Sequence, residues 1–265
     1  MRCLVAGLAV LLGAAAPAAA QTLAQRIARA PDGTVHLSYA AREGVCGNGA
    51  GSISFDCVNG NCGRRRVDAG SDWDDDGACP CDAGPVRLAL EVAHGQVTRL
   101  RAYVGGRWRP GSAATDLGVV GAAGAAHYLL DLARSGDGPA AHDAVFPTTL
   151  ADSVTVWPEL VRLARDEQAS RRVREQAVFW LGQAAGEAAV KDLTDMVGDD
   201  TVDQDVREHA VFALSQQPKE VGVPALIQIA RTNRNGAVRR KAIFWLGQSN
   251  DPRAIALFEE ILTRQ

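Results

Sequence analysis

A mainly α fold is what this sequence predicts: an α-solenoid of about four helical hairpins plus a capping helix, preceded by a small disulfide-containing β domain. Three observations carry that expectation. The dozen residues VREQAVFWLGQA at 173 to 184 return as VREHAVFALSQQ at 206 to 217 and VRRKAIFWLGQS at 238 to 249, each matching the first copy at eight of twelve positions. Period-2 alternation of apolar residues is confined to stretches before residue 105. Five cysteines after the first 20 residues, from Cys46 to Cys81, lie within 36 residues, and none follows.

From the N-terminus, Met1 and Arg2 precede an Ala/Leu/Val run and the small-residue stretch Ala18-Ala19-Ala20 before Gln21, the pattern of a secretory signal. The run is shorter than the ~20 residues a spanning helix needs, and no later stretch is apolar enough to span. The sequence therefore predicts a signal peptide over 1–20, a periplasmic or secreted chain, and no membrane span after signal removal. Cys3 lies ahead of the apolar run, whereas a lipidated cysteine would follow it. A formal charge of −3 leaves no basic stripe of the kind that nucleic acid requires, which excludes that partner class.

Residues 22–112 read as the β domain. A short helical start, TLAQRIARA, gives way at Pro31-Asp32-Gly33 to alternation in TVHLSYA. VRLALEVA (86–93), a turn at His94-Gly95, and QVTRLRAYV (96–104) give the strongest hairpin signal in the chain. In an exported chain, Cys46, Cys57, Cys62, Cys79 and Cys81 read as a disulfide framework. Their spacings are not those of usual zinc pairs, and no histidine falls between Cys46 and Cys81. Two bridges leave one thiol over and spacing does not fix connectivity; a guess pairs Cys57 with Cys62, and Cys46 with Cys79 or Cys81. Asp72-Trp73-Asp74-Asp75-Asp76-Gly77 opens like a calcium loop, but Pro80 stands ninth and Ala83 twelfth, where a bidentate Glu belongs. A solvated acidic loop is the ordinary reading and calcium the alternative. RPGSAATD, 109–116, reads as a linker that permits either docking or swing of the two parts.

Over 115–265 the period decides the fold. Phe146, Phe179, Phe212 and Phe244 stand in HDAVFP, EQAVFW, EHAVFA and RKAIFW at spacings of 33, 33 and 32 residues. A second apolar register follows each one, Leu160/Leu163, Leu193/Met196, Leu226/Ile229 and Phe258/Ile261, at the same spacings, so each repeat holds two helices. Such hairpins cannot bury their apolar stripes alone and must lean on their neighbours. Pro147 breaks the register of the first copy. Ahead of it, AAHYLLDLARSGDG resembles a second helix without its first, and predicts the cap that faces the β domain.

At 100° per residue Val173, Ala177, Trp180 and Leu181 share one arc, and Phe179 lies away from it. The Phe row reads as an inter-repeat contact, with an exposed aromatic row for a partner as the alternative. Gly182 and Gly247 read as helix ends. Arg174, Arg207 and Arg239 fall among apolar residues, where an unpaired guanidinium is costly. They read as struts bonded to carbonyls or loop acids of the preceding repeat.

V-R-x-x-A-V-F-x-L, a turn, and P-x-L-x-x-I-A in units of 32 to 33 residues resembles the HEAT repeats, particularly the short HEAT-like type first associated with phycobilin lyases. The resemblance covers roughly residues 120–265, and the whole arrangement looks like exported bacterial HEAT-repeat proteins. It implies the fold and says little of function, since such repeats serve many unrelated roles. Deoxyhypusine hydroxylase has repeats that resemble these, but it places His-Glu pairs on facing helices to hold two irons. This sequence has no His-Glu dipeptide, and His209 follows Glu208 in the reverse order. Bilin lyases work in the cytoplasm, away from which the signal directs this chain.

No G-x-S-x-G, H-E-x-x-H, P-loop or dinucleotide fingerprint occurs, so the expectation is a non-enzyme without a cofactor. Short α-solenoids grip a protein or peptide on an extended concave face, expected here from the second helices. On that face Arg162, Lys191, Asp195, Gln228 and Glu259 are the candidate partner-binding residues. The predicted function is an exported scaffold or adaptor that binds a protein partner through the solenoid. The alternative is an envelope ligand- or metal-binding protein using the acidic Cys-rich loop.

Overall fold

A computed structural model describes residues 21–54, 81–108, 113–136, 138–183 and 189–263, and the backbone alone of 57–58, 61–62, 66–67 and 184. Helix α1 (Leu23–Ala28) opens with a capping box between Thr22 and Gln25. The strands among the described residues are β1 (Gly33–Tyr39), β2 (Cys46–Gly47), β3 (Ile53–Ser54), β4 (Cys57–Val58), β5 (Asn61–Cys62), β6 (Arg66–Val67), β7 (Val86–Ala93), β8 (Gln96–Val104) and β9 (Ala114–Val119). Four of them form the main sheet in the order β8-β7-β1-β9, antiparallel except for β9 beside β1. The β7–β8 hairpin closes where the sequence places it. His94 and Gly95 have φ of 52° and 74°, both left-handed, as the favoured two-residue turn demands.

Alternation sends Val35, Leu37, Tyr39, Val86, Leu88, Leu90 and Val92 into the core. On the opposite face His36 and Arg87 are also buried, because Trp108 covers them. It stacks on His36 at 3.7 Å, and the Arg87 guanidinium lies 4.5 Å from its ring centre. Arg87 donates further to the carbonyls of Gly105 and Gly49, at 2.8 and 2.9 Å, which satisfies the buried charge.

The sheet extends further along the chain than its side-chain pattern indicates. β9 occupies the stretch read as the end of a linker and the start of the solenoid, and it runs to Val119, so the β region passes the expected boundary at 112. ATDLGV carries no clean alternation, and its place comes from backbone pairing with β1. Cys46 is bonded to Cys81, one of the two partners left open for it. The backbone of Cys57 faces that of Cys62 across the β4–β5 ladder. Cys79, the Asp72–Gly77 segment and residues 1–20 lie outside the described residues.

The helical part comprises α2 (Ala122–Ser135), α3 (Pro139–Thr148), α4 (Trp157–Arg165), α5 (Arg171–Ala184), α6 (Ala189–Gly198), α7 (Gln204–Ser215), α8 (Lys219–Thr232), α9 (Gly236–Gln248) and α10 (Pro252–Thr263). The first helices of the repeats, α3, α5, α7 and α9, pack side by side in one row. The second helices form the other layer, and α4, α6 and α8 each lie closest to the first helix that follows. α2 therefore pairs with α3 as a second helix without its own first, as its sequence predicts. Leu160, Leu163, Leu193, Met196, Leu226 and Ile229 are all buried between the layers.

Three local expectations change. Pro147 does not break α3 but sits in its last turn, where the helix ends one residue later. Gly182 lies inside α5 rather than at its end, and a Cβ there would stand 3.1 Å from that of Ala213 on α7. Its role is close approach of neighbouring first helices. The equivalent Gly247 has open space around it, being on the last first helix among the described residues. The arginine struts hold inter-repeat loops: Arg207 binds Asp200 at 2.6 Å, and Arg239 donates to the carbonyls of Asn233 and Arg234. Arg174 instead reaches forward, to Asp203 of the next loop at 2.5 Å.

That loop is tied on every side. Asp199 pairs with Arg165 at 2.5 Å, Asp200 with Arg207, Asp203 with Arg174, and Asp205 with Arg171, so α4, α5 and α7 are joined through four different arginines. Hydrogen bonds from the Thr201 hydroxyl and from Arg165 hold the Asp199 carboxyl down to about 2. Its ionised form is favoured by the fold, so its contribution is complete above the ordinary carboxylate range and fades as pH falls toward 2. Thermal melts of Asp199→Asn and the wild type should differ at pH 5 and converge by pH 2; a constant difference would contradict this.

The two parts share one apolar core, which runs from the sheet to α10. α3 lies against β8, and the buried Tyr39 hydroxyl donates to the Pro147 carbonyl at 2.7 Å. Beside it the Arg42 amide donates to the Leu150 carbonyl at 2.8 Å, and the Asp152 amide to that of Ala40 at 3.0 Å. Tyr39→Phe removes the buried donor at a cost of about 1 kcal/mol. A melt followed by the helical circular-dichroism signal should shift down by about 2–4 °C; an unmoved helical melt would mean that the seam carries no stability.

Candidate functional site

The row of first helices opens a trough whose floor is aromatic. Two adjoining hollows, of about 510 and 720 Å³, share His142, Gln176 and Phe179. Together they run from Leu100–Tyr103 of β8 and the Ala50-Gly51 turn, across α3, α5 and α7, to Trp245 on α9. Phe146 stacks on Trp180 at 4.3 Å, and Phe179 meets Trp180 edge-on at 4.9 Å. Phe179 and Phe212 are parallel at 6.3 Å, and Phe212 reaches Trp245 at 5.0 Å, beside Phe244. These separations fall within or near the range of favourable aromatic pairing. The Phe row is thus the inter-repeat contact that the sequence predicts and also lines an open surface. Phe146, Phe179, Phe212 and Trp245 are partly exposed and Phe244 is 54% exposed, while Trp180 is buried.

Charges line the rim in a regular ladder. The third and fourth residues of each V-R-x-x-A segment are Glu175-Gln176, Glu208-His209 and Arg240-Lys241. The fourth residue of one repeat turns to the third of the repeat before it: His209 lies 3.9 Å from Glu175, and Lys241 lies 3.8 Å from Glu208. Arg171 adds a bond to Asp205, which raises its pKa mainly through that hydrogen bond, and lies 3.7 Å from Glu175. His209 Nδ1 also donates to the Asp205 carbonyl at 3.0 Å. The variable pair inside V-R-x-x-A was the available sequence signal for this rim, but it identifies a rim only once the first helices are known to face the groove.

One rung is incomplete. Trp180 Nε1 donates to Gln176 Oε1, four residues earlier, at 3.0 Å. The residue four before Trp245 is Lys241, whose ammonium offers no acceptor, and the buried Trp245 Nε1 has no hydrogen-bond partner.

The five residues expected to contact a partner lie on the second helices, and none lines this trough. Arg162 pairs with Glu159 on its own helix at 2.6 Å. Lys191 and Asp195 pair with each other at 2.5 Å, which raises the pKa of the lysine. Asp195 and Gln228 are brought together in a shallow cleft between α6 and α8, and Glu259 lies apart on α10. Among the described residues no three of His, Cys, Asp and Glu gather where they could hold a metal ion, and no helix is long and apolar enough to cross a membrane.

Stacked helical hairpins with a continuous trough across one layer define a helical-repeat solenoid, a scaffold suited to protein interaction. The PBS lyase HEAT-like repeat model matches residues 238–264, the segment of α9 and α10, and supports placing the chain among HEAT-repeat proteins. A search of curated proteins found no match.

Lys241→Gln would supply the acceptor that Trp245 lacks while removing only a half-exposed ion pair of small worth. The variant should gain about 1 kcal/mol, seen as a rise of about 2–4 °C in melting temperature. A fall would show that the pair with Glu208 outweighs the indole hydrogen bond.

Proposed function

We propose that the chain is an exported, non-catalytic scaffold that grips a segment of a protein partner in the trough across its first helices. The observation that carries this reading is the continuity of the aromatic floor through four successive repeats, left partly open where a core would bury it. Aromatic side chains framed by polar residues are the usual anchors of protein interfaces. The titratable groups of the rim bond to one another across repeats and do not converge on a place for a reacting atom, which favours binding over catalysis. The lyase in the matched repeat's name describes the proteins for which that repeat was named.

Export to the periplasm or outside the cell is part of the proposal. It rests on the signal-like N-terminal sequence and on the Cys46–Cys81 bond, which suits an oxidising compartment.

The test is crosslinking in the envelope fraction, with the mature N-terminus read by mass spectrometry and expected at Gln21. Phe212→Ala should lose a defined crosslinked protein that Arg162→Glu and Lys191→Glu retain. The reverse pattern would move the binding face to the second helices, and no partner in either case would remove the scaffold reading.

A further inference from the structure

The last hairpin carries on its outside the surface that earlier repeats hide. Among the described residues five large apolar side chains are exposed, and four of them, Phe244, Ile255, Ile261 and Leu262, belong to α9 and α10. The last three correspond, at a spacing of 32 residues, to Val223, Ile229 and Ala230 of α8, all of which are buried. Phe244 corresponds in the same way to Phe212, whose ring meets Trp245 of the following repeat. A terminal repeat of a solenoid ordinarily turns a polar face outward, and an apolar patch in that place marks an interaction surface.

Two charges within this face select its occupant. Arg240 takes the position of Glu208, which reaches Lys241 of the following repeat, and Glu259 takes that of Ile227, which packs on the core. Both positions therefore face the place where a further repeat would stand. Both residues are exposed, and neither has an ion-pair partner among the described residues. Arg240 lies ten residues before the turn at Asn250 and Glu259 nine after it, so the antiparallel hairpin sets them at about the same height. A cation on one helix and a carboxylate level with it on the other make the face complementary to itself, as a two-fold contact requires.

We propose that this face joins two copies of the chain about a two-fold axis that runs along the helices. Rotation about such an axis keeps each residue's height and exchanges the two helices, so α9 of each copy lies antiparallel on α10 of the other. Arg240 then meets Glu259 of the other copy, twice by symmetry. Phe244 and Ile255, six and five residues from the same turn, also fall opposite each other. Pairing α9 with α9 would instead set Arg240 against its own copy, which like charge disfavours. The apolar stripe supplies the attraction, and the two ion pairs fix the register.

Sedimentation equilibrium of the full exported chain over about 1–100 μM tests this. The mass should approach twice that of the single chain at the upper end and fall on dilution. Arg240→Glu and Glu259→Arg should each weaken the dimer at least about tenfold, and the double variant R240E/E259R should restore it, because the pair re-forms with its signs exchanged. Leu262→Asp should give single chains that keep the helical circular-dichroism spectrum of the wild type. Phe212→Ala, in the trough, should leave the dimer intact, so the result is independent of the trough's role. A single-chain mass throughout would overturn the proposal, as would a dimer that the charge reversals leave unchanged or that the double variant fails to restore.

Discussion

Helix α3 is held on three sides at once, by β8 of the sheet, by α2 behind it and by α5 of the next repeat. It can be so enclosed because its inward residues are small: Ala140, Ala141 and Ala144 are buried with Val145 and Thr148. A helix faced with alanine lets neighbouring backbones approach closely, and the carbonyls at its C-terminal end are left free to accept the Tyr39 hydroxyl and the Arg42 side chain. Every later repeat takes its position from the one before it, so the placement of α3 on the sheet sets the origin of the stack.

The same constraint makes the trough continuous. Because α3 is seated on β8, its Phe146 stands beside the strand's exposed face, and the aromatic ladder begins at the wall of the sheet instead of in solvent. The disulfide from Cys46 to Cys81 and the paired backbones of Gly47 and Asp82 hold the base of the turn that forms the other lip. The β region is then more than an attached domain, since it closes one end of the solenoid's core and supplies part of the surface.

Along the stack, two kinds of contact alternate. Buried Val, Ala and Leu residues join the layers, and Gly182 lets α5 and α7 come close without a side chain between them. Above this, the glutamate of each repeat faces the basic residue of the next. The apolar contact fixes spacing, while the polar contact fixes which charges remain available to anything that enters the trough.

Much of this was legible in the residues themselves. The return of V-R-x-x-A-V-F fixed the repeat and its two helices, because a stripe of that period can only be buried by a copy of itself. Alternation from Val86 to Val104 fixed the hairpin, and the apolar surroundings of Arg174 and Arg207 required bonded guanidiniums. β9 was not legible, since a strand held by its backbone beside β1 needs no side-chain pattern. Nor was the aromatic trough across the first helices; Arg162, Lys191 and Asp195 lie on the second helices, outside its lining. Periodicity reports which residues a helix must bury, a local property of spacing along one chain. Which layer carries a continuous hollow, and which charges meet across repeats along it, depends on how helices far apart in sequence pack, and that only the tertiary structure decides.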